Sequence, residues 1–286
     1  MKVAFIGLGV MGGPMAGHLA KAGHDMVVFN RSPEKAKRWA EANGGRAAGS
    51  AAEAAKDREA VALCVGNDTD VRECLAEILP ALPKDAVVID HTTASAMLAR
   101  EAAAEAREQG VWFVDAPVSG GQAGAENGTL SIMAGGDEKA FAKAEPVMGA
   151  YAKAIKRIGG PGSGQLCKMV NQVAIAGVVQ GLAEASHFAR RAGLDTAAVY
   201  EAISKGAAQS WQMDNRWKTI VEGKFDFGFA VDWMRKDLRL VLDEARSNGA
   251  RLELTALVDQ FYAEVQALGG RRWDTSSLAA RLERPA

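Results

Sequence analysis

The sequence predicts an α/β chain: a doubly wound parallel sheet in the first half, an all-α second half, and a long interdomain helix joining them. Three observations carry that expectation. Short apolar runs alternate with Ala- and Glu-rich helical stretches through the first half. A glycine fingerprint stands between the first such run and the first helix. After the densest cluster of breakers, Ile158-Gly-Gly-Pro-Gly-Ser-Gly164, β-type runs nearly vanish. The domain boundary is therefore placed there, giving residues 1–162 and 163–286.

The elements follow in order. Val3 to Ile6 is a first strand, Pro14 to Ala22 a helix, Met26 to Phe29 a second strand and Pro33 to Ala42 a second helix, which is one βαβ unit and the start of the next. Ala60 to Val65, Val87 to Asp90 and Trp112 to Asp115 continue the strands, with Ala96 to Gln109 helical between the last two. From Gln165 to about Ala192 no proline interrupts a mostly apolar segment, which as one helix is roughly 42 Å long. Its apolar residues run around most of the circumference, so burial on several sides is expected.

Composition narrows the function classes. Lys and Arg total 34 against 35 Asp and Glu, so no strong net field recruits nucleic acid or an anionic membrane. Cys64, Cys74 and Cys167 have neither an even count nor ligand spacing, which argues against a disulfide framework or a structural zinc and fits a reducing, cytoplasmic setting. His18, His24, His91 and His187 form no ligand spacing either, and no metal is expected. The opening MKVAFIGLG is too short for a signal-peptide core, and no membrane span is expected.

Gly7, Gly9 and Gly12 form GxGxxG directly after the first strand. The first allows a tight turn, the second close approach of backbone to a pyrophosphate, and the third close helix-to-strand packing; the helix N-terminus then offers free N–H groups to the anion. The turn Gly7, Leu8, Gly9, Val10, Met11 and Gly12 is thus a candidate dinucleotide cradle of Rossmann type. An Asp or Glu at the end of the second strand would grip the ribose hydroxyls of NAD, but Asn30-Arg31-Ser32 stand there. Asn30 can bond the ribose, Arg31 offers a planar fork to a 2'-phosphate and Ser32 a hydroxyl, so NADP(H) is expected over NAD(H). Val65 and Asn67, at the end of the Ala60 to Val65 run, join the expected cofactor contacts.

Four segments carry a resemblance. MKVAFIGLGVMGGPMAGHLAKAGH, then DAPVSGGQAGAENGTLSIMAGG from Asp115, GPGSGQLCKMVNQ from Gly160 and KDLRLVLDEA from Lys236 resemble the β-hydroxyacid dehydrogenases, and the likeness covers essentially the whole chain. The resemblance implies Lys168 as the catalytic lysine and Asn171 as the first of two amides; the second, a substrate-binding residue that is usually Asn, is Gln172 here. It also implies Ser119, Gly120 and Gly121 as the substrate-binding turn, Thr93 as a cofactor contact and Lys236 as a lysine closing on the cofactor side. His91 stands where relatives usually have a small or apolar residue.

The residues make chemical sense without that likeness. On a helix, Lys168 and Asn171 are i and i+3 and share a face, with Gln172 beside them, so one face carries an acid/base and two amides. A lysine among Leu166, Met169, Val170 and Val173 is partly desolvated, which favours its neutral form. The Ser119-Gly120-Gly121 turn can offer successive backbone N–H groups and a hydroxyl to a carboxylate. Trp211, Trp217 and Trp233 are expected in core or subunit-interface packing, with Trp211 and Trp233 also candidates for the substrate pocket. Asp237 is a candidate partner for a cation or the site lysine.

These parts predict hydride exchange between NADP(H) and a small carboxylic acid, with Lys168 exchanging the proton, and the resemblance implies a 3-hydroxyisobutyrate-like acid. Competing readings are a glyoxylate or succinic semialdehyde reductase, an imine reductase-like enzyme, in which another residue usually replaces the lysine, and a noncatalytic NADPH-sensing module. Extensive apolar helical surface predicts a homodimer or homotetramer.

Overall fold

The structure, a computed structural model, describes residues 1–283 and forms two compact units, Met1–Lys168 and one beginning at Met169. The first unit runs β1 (Lys2–Ile6), α1 (Gly12–Lys21), β2 (Asp25–Phe29), α2 (Pro33–Asn43), β3 (Arg46–Ala47), α3 (Ala51–Ala55), β4 (Ala60–Leu63), α4 (Asp68–Ile78), β5 (Val87–Asp90), α5 (Ala96–Glu108) and β6 (Trp112–Asp115). It continues with β7 (Val118–Ser119), α6 (Gly121–Glu126), β8 (Leu130–Gly135), α7 (Glu138–Met148) and β9 (Ala152–Gly159), and then enters α8 (Ser163–Arg191).

The strand order is β3-β2-β1-β4-β5-β6-β8-β7, with β9 pairing β8. Strands β1 to β6 are parallel. Successive side chains of a strand point to opposite faces, and both faces here are covered: Val3 and Phe5 enter one apolar cluster, Ala4 and Ile6 the other. The chain order reverses at β1, which lies between β2 and β4, so the crevice beyond its C-terminal end is the place where this architecture binds ligands.

The far side of the sheet departs from the simple parallel pattern. β8 runs antiparallel to β6 and β7, with Asp115 facing Gly135. β9 returns parallel to β8 as an edge strand, and its exposed Lys153 and Lys156 discourage pairing with another chain.

The second unit holds the rest of α8, then α9 (Thr196–Ile203), α10 (Trp211–Val221), α11 (Val231–Asn248) and α12 (Glu253–Ala267), followed by a 3-10 segment over Thr275–Glu283. Its core joins Ala176, Val179 and Leu182 of α8 to Trp217, Met234 and Tyr262. By length and composition α8 is the one helix among the described residues that could cross a membrane, but its inward face builds this core. Burial around most of α8 does not hold: Val170 is 70% exposed and Phe188 71%, because the second unit packs against only part of the helix.

Candidate active site

Gly7 and Gly12 carry the steric constraints that a tight turn and close helix-to-strand packing require. Gly7 adopts φ 95°, and a Cβ there would stand 2.2 Å from the Cys64 carbonyl oxygen. A Cβ on Gly12 would stand 1.9 Å from the Gly7 carbonyl oxygen, so α1 can start this close to β1 only without a side chain. Gly9 is different: a Cβ there would meet nothing within 4 Å. That open space, together with an α1 N-terminus lacking a side-chain cap, fits a pyrophosphate lying against bare backbone. Leu8 is buried and Val10 is 64% exposed, while Met11 is half-buried and packs on the core.

The end of β2 is tied to this turn. The Asn30 side-chain oxygen accepts from Leu8 N–H at 3.0 Å, and its amide nitrogen donates to the Ser32 carbonyl at 3.3 Å. Asn30 therefore shapes the cradle itself. Arg31 is 78% exposed and pairs at 2.9 Å with Asp70, whose other oxygen accepts from Gly66 N–H at 3.0 Å. The sequence offers no carboxylate at the end of β2; α4 brings one there from 39 positions away. Ser32 precedes α2 and accepts from Lys35 N–H through its backbone carbonyl, while its hydroxyl makes no cap; Asn67 caps α4 by accepting from Asp70 N–H, and Val65 N–H donates to the Thr92 hydroxyl. Thr93 is half-buried beyond β5.

Lys168 owes its place to an anchor that the sequence does not advertise. Asp115, fully buried at the end of β6, accepts from Gly162 N–H at 2.8 Å and Gln165 N–H at 2.9 Å, satisfying donors that the start of α8 leaves without helical partners. Burial pushes this carboxyl up to about 7 even though the backbone N–H groups pull it down. A Cβ on Gly164 would come within 2.5 Å of the Asp115 and Met133 carbonyl oxygens, so the helix start sits directly on the sheet. Gln165 completes the attachment, donating to the Thr92 carbonyl at 2.7 Å and accepting from Ala94 N–H at 3.0 Å.

One turn into the helix, Lys168 is only 7% exposed, and its Nζ donates to the Val118 carbonyl at 2.8 Å. Val118 immediately precedes Ser119, Gly120 and Gly121; the two glycines adopt φ 132° and 60°, the left-handed region that favours glycine. A buried amine and a turn able to bind an anion are thus neighbours within the first unit.

His91, the departure from the family pattern, holds the exit of β6. It is buried, with Nδ1 2.7 Å from the Ala116 carbonyl and Nε2 2.8 Å from the Tyr151 hydroxyl. The carbonyl can only accept, so Nδ1 carries the proton and Nε2 accepts from tyrosine. Burial lowers this imidazole to about 4, keeping it neutral.

In the second unit the residues form a chain of contacts. Asn171 donates through Nδ2 to Gln172 Oε1 at 2.9 Å, Gln172 donates through Nε2 to Asp237 Oδ2 at 2.6 Å, and Lys236 Nζ lies 3.1 Å from Asp237 Oδ1. Gln172 and Asp237 are each 2% exposed. Trp217 is a core residue donating to the Thr196 carbonyl, whereas Trp211 is 55% exposed under the Arg216 guanidinium and Trp233 is 40% exposed.

Residues 2–160 match the family model for the NAD-binding domain of 6-phosphogluconate dehydrogenase, and residues 162–282 match the model for NAD-binding of NADP-dependent 3-hydroxyisobutyrate dehydrogenase. The chain is 59% identical to an uncharacterized oxidoreductase of Shewanella frigidimarina, over 99% of this chain and 98% of that one. It is 34% identical to the 2-hydroxy-3-oxopropionate reductase of Escherichia coli, over 99% and 97%. Among solved structures, Mycobacterium tuberculosis 3-hydroxyisobutyrate dehydrogenase with L-serine superposes with a TM-score of 0.91 at 33% identity, covering 99% of both chains.

Proposed function

Given that the chain belongs to the β-hydroxyacid dehydrogenase family and is an NAD(P)-binding oxidoreductase acting on CH–OH groups, we propose that it interconverts a small 3-hydroxyisobutyrate-like acid and its semialdehyde with NADP(H), using Lys168 as general acid and base. The observation that carries this reading is the buried Lys168 amine, 2.8 Å from the carbonyl just ahead of the Ser119-Gly120-Gly121 turn.

The chemistry follows from what each group can do. The turn from Ser119 to Gly121 receives the carboxylate of the acid on backbone N–H groups and a hydroxyl, which orients the carbonyl to be reduced. Lys168 donates a proton to that carbonyl oxygen during reduction, and in oxidation the neutral amine takes it back from the alcohol. Asn171, one turn further along α8, fixes the oxygen or the lysine. When bound, the reduced nicotinamide supplies the hydride. The turn Gly7 to Gly12 would hold the dinucleotide's pyrophosphate, Asn30 its ribose, Arg31 and Ser32 its 2'-phosphate, and Val65, Asn67, Thr93 and Lys236 would complete its contacts. Trp211 and Trp233 are the proposed aromatic contacts of the acid; both are partly exposed, Trp211 with one face under the Arg216 guanidinium.

Exposed Val170, Phe188, Leu254 and Leu257 of the second unit support self-association as a homodimer or homotetramer, which sedimentation measures directly. A panel of small semialdehyde acids and hydroxy acids, each assayed with both cofactors, tests the function. Turnover of a three- to five-carbon β-hydroxy acid with NADP+ preferred supports it. Dinucleotide binding with no turnover across the panel overturns it.

A further inference from the structure

We propose that Gln172 is a positioning residue, fixing the Asn171 amide on one side and the Asp237–Lys236 pair on the other. The inference rests on the proposed roles of Asn171 and Lys236. Its starting point is Asp237, a carboxylate 2% exposed whose oxygens lie 2.6 Å from Gln172 Nε2 and 3.1 Å from Lys236 Nζ. A buried charge requires partners, and an ionised carboxylate only accepts hydrogen bonds. Gln172 must therefore turn its nitrogen toward Asp237, which leaves its oxygen toward Asn171.

That oxygen in turn requires a donor, so Asn171 presents Nδ2 to it at 2.9 Å. The orientation of the Asn171 amide is thus dictated from α11, two hydrogen bonds away. Met234 Sδ, 3.6 Å from Gln172 Nε2, closes the surroundings of the same nitrogen. The glutamine length is essential: asparagine is shorter by one carbon–carbon bond, about 1.5 Å, and would lift the 2.6 Å contact beyond hydrogen-bonding distance. The residue that departs from the usual family asparagine therefore joins α8 to α11 through Asp237.

The test uses the full chain with its best substrate and NADPH. Gln172→Ala and Gln172→Asn should each lower kcat about tenfold, as expected for losing one hydrogen bond to a charged group, with KM for the acid within about twofold. A double variant, Gln172→Glu with Asp237→Asn, keeps a donor and an acceptor across the two helices but moves the charge away from Lys236. It should regain the melting temperature lost in Gln172→Ala without regaining kcat. Unchanged kcat in Gln172→Ala, a loss confined to KM, or full recovery of kcat by the double variant overturns the proposal. Lys236→Ala serves as the control: if it leaves both kcat and KM for NADPH intact, the reading beneath the proposal fails instead.

Discussion

The buried carboxylate of Asp115 accepts the Gln165 backbone N–H at 2.9 Å, and this contact across 50 positions fixes the first turn of the helix that carries Lys168. Removing the carboxylate in Asp115→Ala leaves the Gly162 and Gln165 N–H groups buried without that acceptor, at a cost of about 1–3 kcal/mol in unfolding free energy. Asp115→Asn keeps one acceptor and cannot titrate. Burial raises Asp115 to about 7 in the folded chain, so the native state binds its proton more tightly than the unfolded chain does. Stability from this group is present below the ordinary carboxylate range and is lost as pH rises through about 7. The stability difference between wild type and Asp115→Asn should therefore shrink with rising pH, measured by urea unfolding; a difference independent of pH contradicts the assignment.

Gly9 and Gly12 should fail in different ways. Gly12→Ala forces a methyl group to within 1.9 Å of the Gly7 carbonyl oxygen and should lower the melting temperature sharply. Gly9→Val places its side chain in open space, so the chain should fold normally yet lose dinucleotide binding by fluorescence titration. Equal melting losses in the two variants would contradict this division of labour.

Arg31 should set cofactor preference. Its guanidinium is 78% exposed and already oriented by Asp70, so Arg31→Ala should lower kcat/KM for NADPH about 10- to 100-fold while leaving NADH nearly unchanged. Steady-state kinetics with both cofactors read this directly, and parallel losses with both would show that the residue does not discriminate between them.

His91 gives stability an acid limit. Its folded value, lowered by burial from 6.5 to about 4, means that the unfolded chain takes up the proton first as pH falls. Stability from neutral His91 is complete above about 6.5 and declines as pH falls toward about 4. In His91→Gln that part of the acid dependence should disappear from unfolding curves taken across this window. An unchanged slope would show that the imidazole does not titrate as its burial requires.

What the sequence makes legible is local. The constraints at Gly7 and Gly12 can be read because the turn's mechanics lie within six residues, and β5 and β6 follow their apolar runs to the expected ends. The α8 start is less legible: Gly162-Ser163-Gly164 reads as loop, yet the helix begins at Ser163, because Asp115 supplies the missing acceptors and Gly164 allows contact with the sheet. The partners of the site residues lie far away in sequence, as Asp70 does from Arg31 and Tyr151 from His91, and no periodicity records them. The antiparallel β8 and edge β9 escape for a related reason: their pairing is set by neighbours, and the lysines of β9 obscure its strand character.

Proton exchange between the Lys168 amine and the reacting oxygen is the step on which the proposed reaction depends. It is tested most directly by Lys168→Ala, comparing single-turnover oxidation of NADPH with equilibrium NADPH binding. The rate should fall about 10²- to 10⁴-fold with the dissociation constant nearly unchanged. Turnover retained near the wild-type rate would contradict it.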